Sequence, residues 1–336
     1  MFDLNWRTLT RAVHRLNTTP RLLRDLVFKE RNSKESDTID VETLVRGQKM
    51  APFVSEEEGG VIVQGTSMES KSVKTPRIRL KKPLSGKQLL TERTAGQNFY
   101  AAGPKDIQDA KNQKIMLEFL DLKERVSIRE EWMCAQALTG KMEIPGKKGI
   151  LQKIDYRMPI SNKIILGVGD RWNEENGDPK GVIQGASDMM VDAGYTPDLI
   201  IGGTDAIKYL HTKTEKNEWI PSNFLHAGNP GWKASKNYQG EFGGLDVYRY
   251  GRMIKDSAGT SFKLIDPEKL YMIDTSARFS IEFGIILDLE HEASIVGEMF
   301  SKSWLEKDPS VLWNLIESRP LPVPWEPEAI VEITVL

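Results

Sequence analysis

The sequence predicts an α+β fold made of one long helix, a compact mixed α/β unit and limbs with little core of their own. Three observations carry this. Apolar residues recur at helical spacing over an unusually long run, 106–138. Short strand-like stretches, punctuated by glycine and proline, fill much of the remaining chain. Strand and helix patterns alternate between residues 176 and 280.

A chain of 336 residues has room for two domains or one large one, with an ample core. Its charged fraction of 28% and hydrophobic fraction of 39% are ordinary for a globular protein. The net charge of −2 gives no overall attraction to nucleic acid or to an anionic membrane. The charge is unevenly spread. Arg7, Arg11, Arg15, Arg21, Arg24, Lys29 and Arg31 crowd the amino terminus, and Arg77, Arg79, Lys81, Lys82 and Lys87 form a second basic stretch. Glu56, Glu57 and Glu58 are an acidic run, and 170–178 is acidic too. Such patches are either solvated faces or surfaces that pair between copies. Cys134 is the only cysteine, so no intrachain disulfide can form and a reducing compartment fits. No apolar run approaches the roughly 20 residues a bilayer span needs, and the start of the chain lacks the apolar core of a secretion signal.

Residues 3–32 predict two short amphipathic helices. Trp6, Leu9, Val13 and Leu16 make the first stripe; Thr19 and Pro20 restart the pattern as cap and first helical residue, and Leu22, Leu23, Leu26 and Val27 make the second. An arm this short needs another surface over its apolar stripe. Ile39 and Val41 alternate with acids as a half-buried strand. From 47 to 93, glycines, serines and prolines break up the β-rich runs 61–63 and 71–80. This predicts a long, basic, two-stranded excursion, mobile or docked on a partner, because an isolated hairpin is marginal in water.

The long helix follows. Gly103-Pro104 and Asp106 supply the start, Gly140 the stop, and Ile115, Phe119, Leu122, Val126, Met133 and Ala137 the apolar face. It spans roughly 50 Å at 1.5 Å per residue. Next, Ile150, Ile154, Tyr156 and Met158 alternate as a strand, and 162–168 is another. Asp178 and Pro179 open a helix whose face is Val182, Ile183, Ala186, Met189, Met190 and Ala193, and Gly194 closes it. Residues 199–201 are a short buried strand, and Thr204 caps a helix through Leu210. Strands at 245–250, 261–265 and 270–273 follow, the last two joined by an Asp266-Pro267 turn. Ile281, Phe283 and Ile285 alternate as a return strand. In the tail, Pro320, Pro322, Pro324 and Pro327 enforce an extended course beside Trp304, Trp313 and Trp325. An extended, tryptophan-lined tail suits a chain that packs along its neighbours.

Motifs for chemistry are sparse. The four histidines are not at zinc-ligand spacing, and one cysteine makes no ligand set, so no metal is expected. Gly167-Val168-Gly169 lacks the third glycine of a dinucleotide loop. Gly202-Gly203-Thr204-Asp205 lies between strand and helix, where amides hold phosphate in some proteins, but has no P-loop lysine; a tight turn with a threonine cap explains it. Asp170, Asn173, Glu175, Asn176 and Asp178 have calcium-loop composition, yet Trp172 falls where an EF-hand requires aspartate. Cys134 reads as a packed thiol, and Met189-Met190 as core rather than the lining of a cofactor pocket. Neither catalytic residues nor a cofactor are expected.

Four segments, in order, carry a family resemblance: Leu22–Phe28 with Asp37–Val41; Met50–Val54 with Gly59-Gly60; Glu130–Gly140, where paired acids lead to Ala137-Leu138-Thr139-Gly140; and Phe300–Pro309 with Ser318–Pro324. Together they resemble the major capsid proteins of tailed bacteriophages, the lambda-like capsid protein E family with the Hong Kong 97-type fold. The resemblance covers nearly the whole chain. It implies an N-terminal arm and first strand at 1–48, an extended loop at 49–94, and a peripheral domain at 95–175 with its spine helix at 106–138. An axial domain at 176–280 follows, and 281–336 returns to the peripheral domain and ends in the tail.

The implied function is structural. Copies of one chain form pentamers and hexamers of an icosahedral head enclosing double-stranded DNA, located in the virion and, during assembly, in the host cytoplasm. The implied partners are the chain itself, a scaffold protein, a portal protein, a decoration protein and non-specifically contacted DNA, with no membrane. Opposite sign suggests Arg77, Arg79, Lys81 and Lys82 as contacts to a neighbour's Glu56, Glu57 and Glu58. Trp304 and Trp325 are further interface candidates, and Arg7, Arg11 and Arg15 could face scaffold or DNA. The rival readings are a cytosolic α/β phosphate-binding protein or enzyme using the Gly202–Asp205 turn, and a nanocompartment shell protein.

Overall fold

The computed structural model describes residues 5–43, 69–85, 104–146, 149–215, 218–221, 235–255, 259–290, 293–308 and 310–336. In chain order they form helix α1 (Trp6–His14), a π turn (Leu23–Val27), strands β1 (Glu30–Ser33), β2 (Thr38–Thr43), β3 (Glu69–Lys74) and β4 (Ile78–Ser85), and the long helix α2 (Pro104–Leu138). Strands β5 (Lys141–Gly146), β6 (Gly149–Asp155) and β7 (Lys163–Ile165) follow, then α3 (Pro179–Asp192), β8 (Leu199–Gly202), α4 (Thr204–Lys213) and β9 (Trp219–Pro221). Next come β10 (Tyr238–Phe242), β11 (Leu245–Arg249), β12 (Met253–Lys255), β13 (Ser261–Lys263), β14 (Lys269–Ile273) and β15 (Phe279–Phe283). The chain ends with β16 (Ile286–Asp288), β17 (Ala293–Ile295), β18 (Phe300–Glu306), β19 (Val311–Ser318), β20 (Pro320–Pro324) and β21 (Ile330–Thr334).

The chain divides into two compact units: Met1–Ile39, Ser72–Glu131 and Ile281–Pro322 form one, and Asp40–Lys71, Trp132–Ser280 and Val323–Leu336 the other. In the first, an antiparallel sheet ordered β18-β19-β4 packs one face on α2 and α1. Leu9 and Val13 of α1, Phe119, Leu122 and Val126 of α2, and Ile316 of β19 are the centre of that core. The opposite sheet face is partly covered where Ile286 and Ile295 of the β16–β17 hairpin, with Trp6, pack on Phe300 and Leu315.

In the second unit a seven-stranded mixed sheet runs β7-β21-β14-β8-β11-β10-β9. Its β8–β11 and β7–β21 pairs are parallel. Among the described residues its outer strands are β7 and β9. Ile183, Ala186 and Met190 of α3 are buried, as are Ala206, Ile207 and Leu210 of α4. Asp178 accepts from the Gly181 amide as the α3 cap, with Pro179 in the first turn.

Helix α2 begins at Pro104 and has 35 residues, about 50 Å. It stops at Gly140, whose φ is +76°. A β-carbon there would also meet Cβ of Met158 at 2.6 Å, so the stop requires glycine twice over.

Several expectations are corrected. The arm has one α-helix, not two. Thr19 does not cap a second; its amide and hydroxyl donate to Glu124, and a π turn follows. The surface that the α1 stripe needs is supplied by its own chain, from α2 and the β4–β19 sheet. The basic excursion is not a free hairpin in its described part: Thr75-Pro76 splits the expected 71–80 run, β3 pairs with β2, and β4 with β19. Residues 61–63 lie outside the described residues. Thr204 is not the cap of α4; Gly203 holds that position. Strand β15 does not alternate, since all five residues are buried.

The tail is extended as expected, but it is interior. All five residues of β20 are buried, in a sheet ordered β1-β15-β20. Pro320, Pro322 and Pro324 sit at alternate positions, so every missing donor falls on the edge of β20 away from β15, while Leu321 and Val323 turn their amides to β15. Trp325 is therefore no outward contact: it is buried, donates from Nε1 to Ser280 Oγ at 2.8 Å, and has the Arg278 guanidinium over its ring.

Candidate assembly surface

Strand β4 alternates strictly. Ile78, Leu80, Lys82 and Leu84 turn toward α2; Arg79, Lys81 and Pro83 turn outward. Register with β19 sets Arg79 against Glu317, Lys81 against Leu315 and Pro83 against Trp313, and Trp304 of β18 lies across from Trp313. Four of the sequence candidates, Arg77, Arg79, Lys81 and Trp304, thus meet on one outward sheet face. Lys82 is on the other side, bound to Glu118 at 2.5 Å and Asp121 at 3.0 Å of α2.

The centre of the face is aromatic. Trp304 and Trp313 stack with centroids 6.3 Å apart and planes 18° apart. Both are half-buried. Lys81 Nζ lies 4.5 Å from the Trp313 centroid, and Trp313 Nε1 donates to Glu306 at 2.6 Å. Lys302 lies over Trp304 and bridges Asp288 and Glu290, both at 2.7 Å. Burial by itself would lower the Lys302 pKa; the two carboxylates outweigh it and hold the ammonium above its ordinary value.

One end of the face is anchored by a carboxylate that the sequence reading missed. Glu317 is 1% exposed and takes a two-point contact from Arg77 (2.5 and 2.9 Å) and a third bond from Arg79 (2.8 Å). That contact raises the Arg77 pKa. The expected pairing of Arg77 and Arg79 with a neighbour's acids is thus pre-empted within the chain. Glu317 sits in a strand among hydrophobic residues, and only the register brings the arginines to it. Glu56, Glu57 and Glu58 lie outside the described residues.

A second constellation holds the arm on α2. Lys123 donates to the carbonyls of Val13 (3.0 Å), His14 (2.9 Å) and Leu16 (2.8 Å), closing the open end of α1. Glu124 takes Arg21 at 2.7 Å, Ser127 takes Arg24 at 2.6 Å, and Glu131 accepts the amides of Leu23 (3.0 Å) and Arg24 (2.8 Å). Glu130 lies 3.6 Å from Arg24 and 3.8 Å from Arg31. These α2 positions recur at three and four, a polar stripe that reads as a solvated face in sequence. Arg7, Arg11 and Arg15 are exposed on the far side of α1 from Leu9 and Val13.

The motifs for chemistry are spoken for. The amides of Asp205 and Ala206, where a phosphate would sit, donate to the Pro267 carbonyl at 3.1 and 2.9 Å. A β-carbon on Gly203 would meet the Asp266 carbonyl at 2.1 Å, so this glycine serves close packing. In the acidic 170–178 loop, Lys213 of α4 takes the carbonyls of Glu174 (2.5 Å) and Glu175 (3.1 Å), supplying the loop with its own cation. Cys134 is buried. Met189 and Met190 line a cavity of about 300 Å³ with Asn162 and Glu328, whose carboxyl is pushed up by burial. No metal-holding cluster of His, Cys, Asp and Glu occurs among the described residues. No described helix is long and apolar enough to cross a membrane.

Comparison with known proteins adds the family. The family described as phage major capsid protein E matches residues 5–335. A crystal structure described as a prophage capsid protein of E. coli CFT073 superposes with a TM-score of 0.75 at 19% identity, covering 99% of each chain. A phage-related protein of Bordetella bronchiseptica RB50 gives 0.56 at 12% identity, over 97% of this chain and 95% of that one. At these identities the likeness is one of fold. No curated protein matches the sequence.

Proposed function

The chain belongs to the phage major capsid protein E family, and from that premise we propose how it builds a shell. Its role is structural and its place is the capsid of the virion, with the Hong Kong 97-type fold. We infer that copies join as pentamers and hexamers around packaged DNA, with residues 176–280 as the axial domain. Assembly takes place in the host cytoplasm, with a scaffold, a portal and a decoration protein as partners.

The observation that carries the contact is the Trp304–Trp313 face. Two stacked, half-buried indoles carry Lys81 on their outer side, at the end of β4 from which the chain leaves toward 86–103. Partly buried tryptophan beside a cation is the composition of interface cores rather than of solvated surface. A second copy covers it. Arg7, Arg11 and Arg15, an exposed row on α1, are the choice for scaffold or DNA. The phosphate-binding alternative loses its motif, since the Gly203 and Asp205 amides are already bonded to backbone carbonyls.

The test is direct. The chain expressed alone and with its scaffold is viewed by negative-stain microscopy and sedimented. Closed shells or ring-shaped capsomers are expected. A chain that stays a small oligomer at every concentration, with scaffold present, refutes the reading.

A further inference from the structure

The cavity of about 300 Å³ lies within the second unit, where the last turn of α3 meets two single turns, Ile160–Asn162 and Pro327–Ala329. Its polar wall is built of acceptors. Asn162 is 7% exposed, and its Nδ2 donates to the carbonyls of Glu328 and Ile330, both at 2.9 Å. Both amide hydrogens are thus used, which fixes the side chain and leaves Oδ1 as its acceptor. Ser161 Oγ donates to that oxygen at 3.2 Å and keeps its own lone pairs. The Glu328 carboxylate has neither a hydrogen bond nor an ion pair with any described residue. Burial raises its pKa, and no cation opposes the rise.

The surroundings carry the same sign. The C-terminal end of a helix is partially negative, and the last turn of α3 has no basic residue, while Asp188 and Asp192 add acids to it. The remaining wall is apolar, from Met189 and Met190 with Pro159 and Ala193.

These features select a ligand. A carboxylate without a counter-ion calls for a cation. Calcium or magnesium takes six or more oxygens and gains nothing from thioethers. A primary alkylammonium uses the whole cavity: three N–H donors meet three acceptors, and the methylene stem lies against the methionines. We propose that this cavity binds a primary alkylammonium group, with Glu328, Asn162 Oδ1 and Ser161 Oγ as acceptors and Met189 and Met190 along the stem. The group has two sources, a free alkylamine and the lysine side chain of a second copy, and the chemistry is the same for both. Binding to the single chain does not depend on the shell reading.

The probe is n-butylammonium, titrated into the unassembled full chain carrying methyl-labelled methionine. The Met189 and Met190 methyl resonances, assigned with Met189→Leu and Met190→Leu, should shift saturably. Butanol has the same stem without the charge, and should reach half-saturation only at a concentration at least tenfold higher. Glu328→Gln should weaken n-butylammonium binding at least tenfold. Resonances that n-butylammonium leaves unmoved, or that butanol moves equally, would overturn the site; so would undiminished binding to folded Glu328→Gln. If that variant unfolds, the two probes on the wild-type chain decide. Assembly with the probe present separates the sources: a lower shell yield assigns the cavity to a neighbour's lysine, an unchanged yield to a free amine. Failure to form shells at all would overturn the shell reading and leave this site to be judged by the methyl titration.

Discussion

Glu130 and Glu131 are neighbours on α2, both buried, with opposite electrostatic demands. Glu131 needs its charge, because it accepts the Leu23 and Arg24 amides at the start of the π turn. Glu131→Gln should cost about 2 kcal/mol, the scale of charge-assisted bonds lost in a buried site. Glu130 is different. Burial pushes its pKa up, and Arg31 and Arg24 recover only part of that. A carboxyl with a raised folded pKa gives its full stability below the unfolded value and loses it as pH rises through the folded one. Glu130→Gln should therefore be near neutral at acid pH and relatively favourable at pH 8. Glu124 has the reverse sign. Burial would raise it, but Thr19 and Arg21 outweigh burial and hold it low. Its contribution is present above the ordinary carboxylate range and fades as pH drops through its folded value. Denaturant midpoints of Glu130→Gln and Glu124→Gln from acid to pH 8 check these signs; a pH dependence of the same sign at both positions would contradict them.

Helix stops are enforced as strongly as helix starts. Gly140 has φ +76° and no room for a β-carbon against Met158. Gly140→Ala should cost about 1 kcal/mol for the left-handed backbone and a further 1–3 for the overlap, read as a lower thermal midpoint. An unchanged midpoint would mean that Met158 yields freely. This stop was legible in sequence because it is local, as were the long apolar stripe of α2 and the Asp178-Pro179 start of α3. What depended on partners far along the chain was not legible. Thr19-Pro20 has the form of a helix start, yet Glu124 takes the cap. Prolines in the tail signalled extension, but not that alternate spacing turns them all away from β15 in a buried sheet. At the candidate surface, Arg77, Arg79, Lys81 and Trp304 were visible as types. Glu317, which claims two of them, and Trp313, which completes the stack, required the β4–β19–β18 register.

At the scale of the whole molecule, the described cations of the basic stretch separate into those bound to carboxylates of their own chain and Lys81, which lies on an indole ring. Arg77 and Arg79 neutralise a buried carboxylate of their own chain. Reversing both to glutamate would set new anions beside Glu317. The loss should be about 2–3 kcal/mol, below the full value for a buried pair because both guanidinium groups are partly screened by solvent. It belongs to the isolated subunit and should lower its thermal midpoint before any shell forms. Lys81 has no such duty. It lies on the open side of Trp313, where an exposed cation over a ring is worth about 0.5–1 kcal/mol. Lys81→Glu should leave the midpoint of the free chain within a few degrees while cutting shell yield at least tenfold, since a repeated contact multiplies a small defect over every copy. Both variants are measured twice, by calorimetry on unassembled protein and by sedimentation of assembled product. A double reversal that folds normally but fails to assemble, with Lys81→Glu assembling as wild type, would return the shell contact to the arginines and remove it from the tryptophan face.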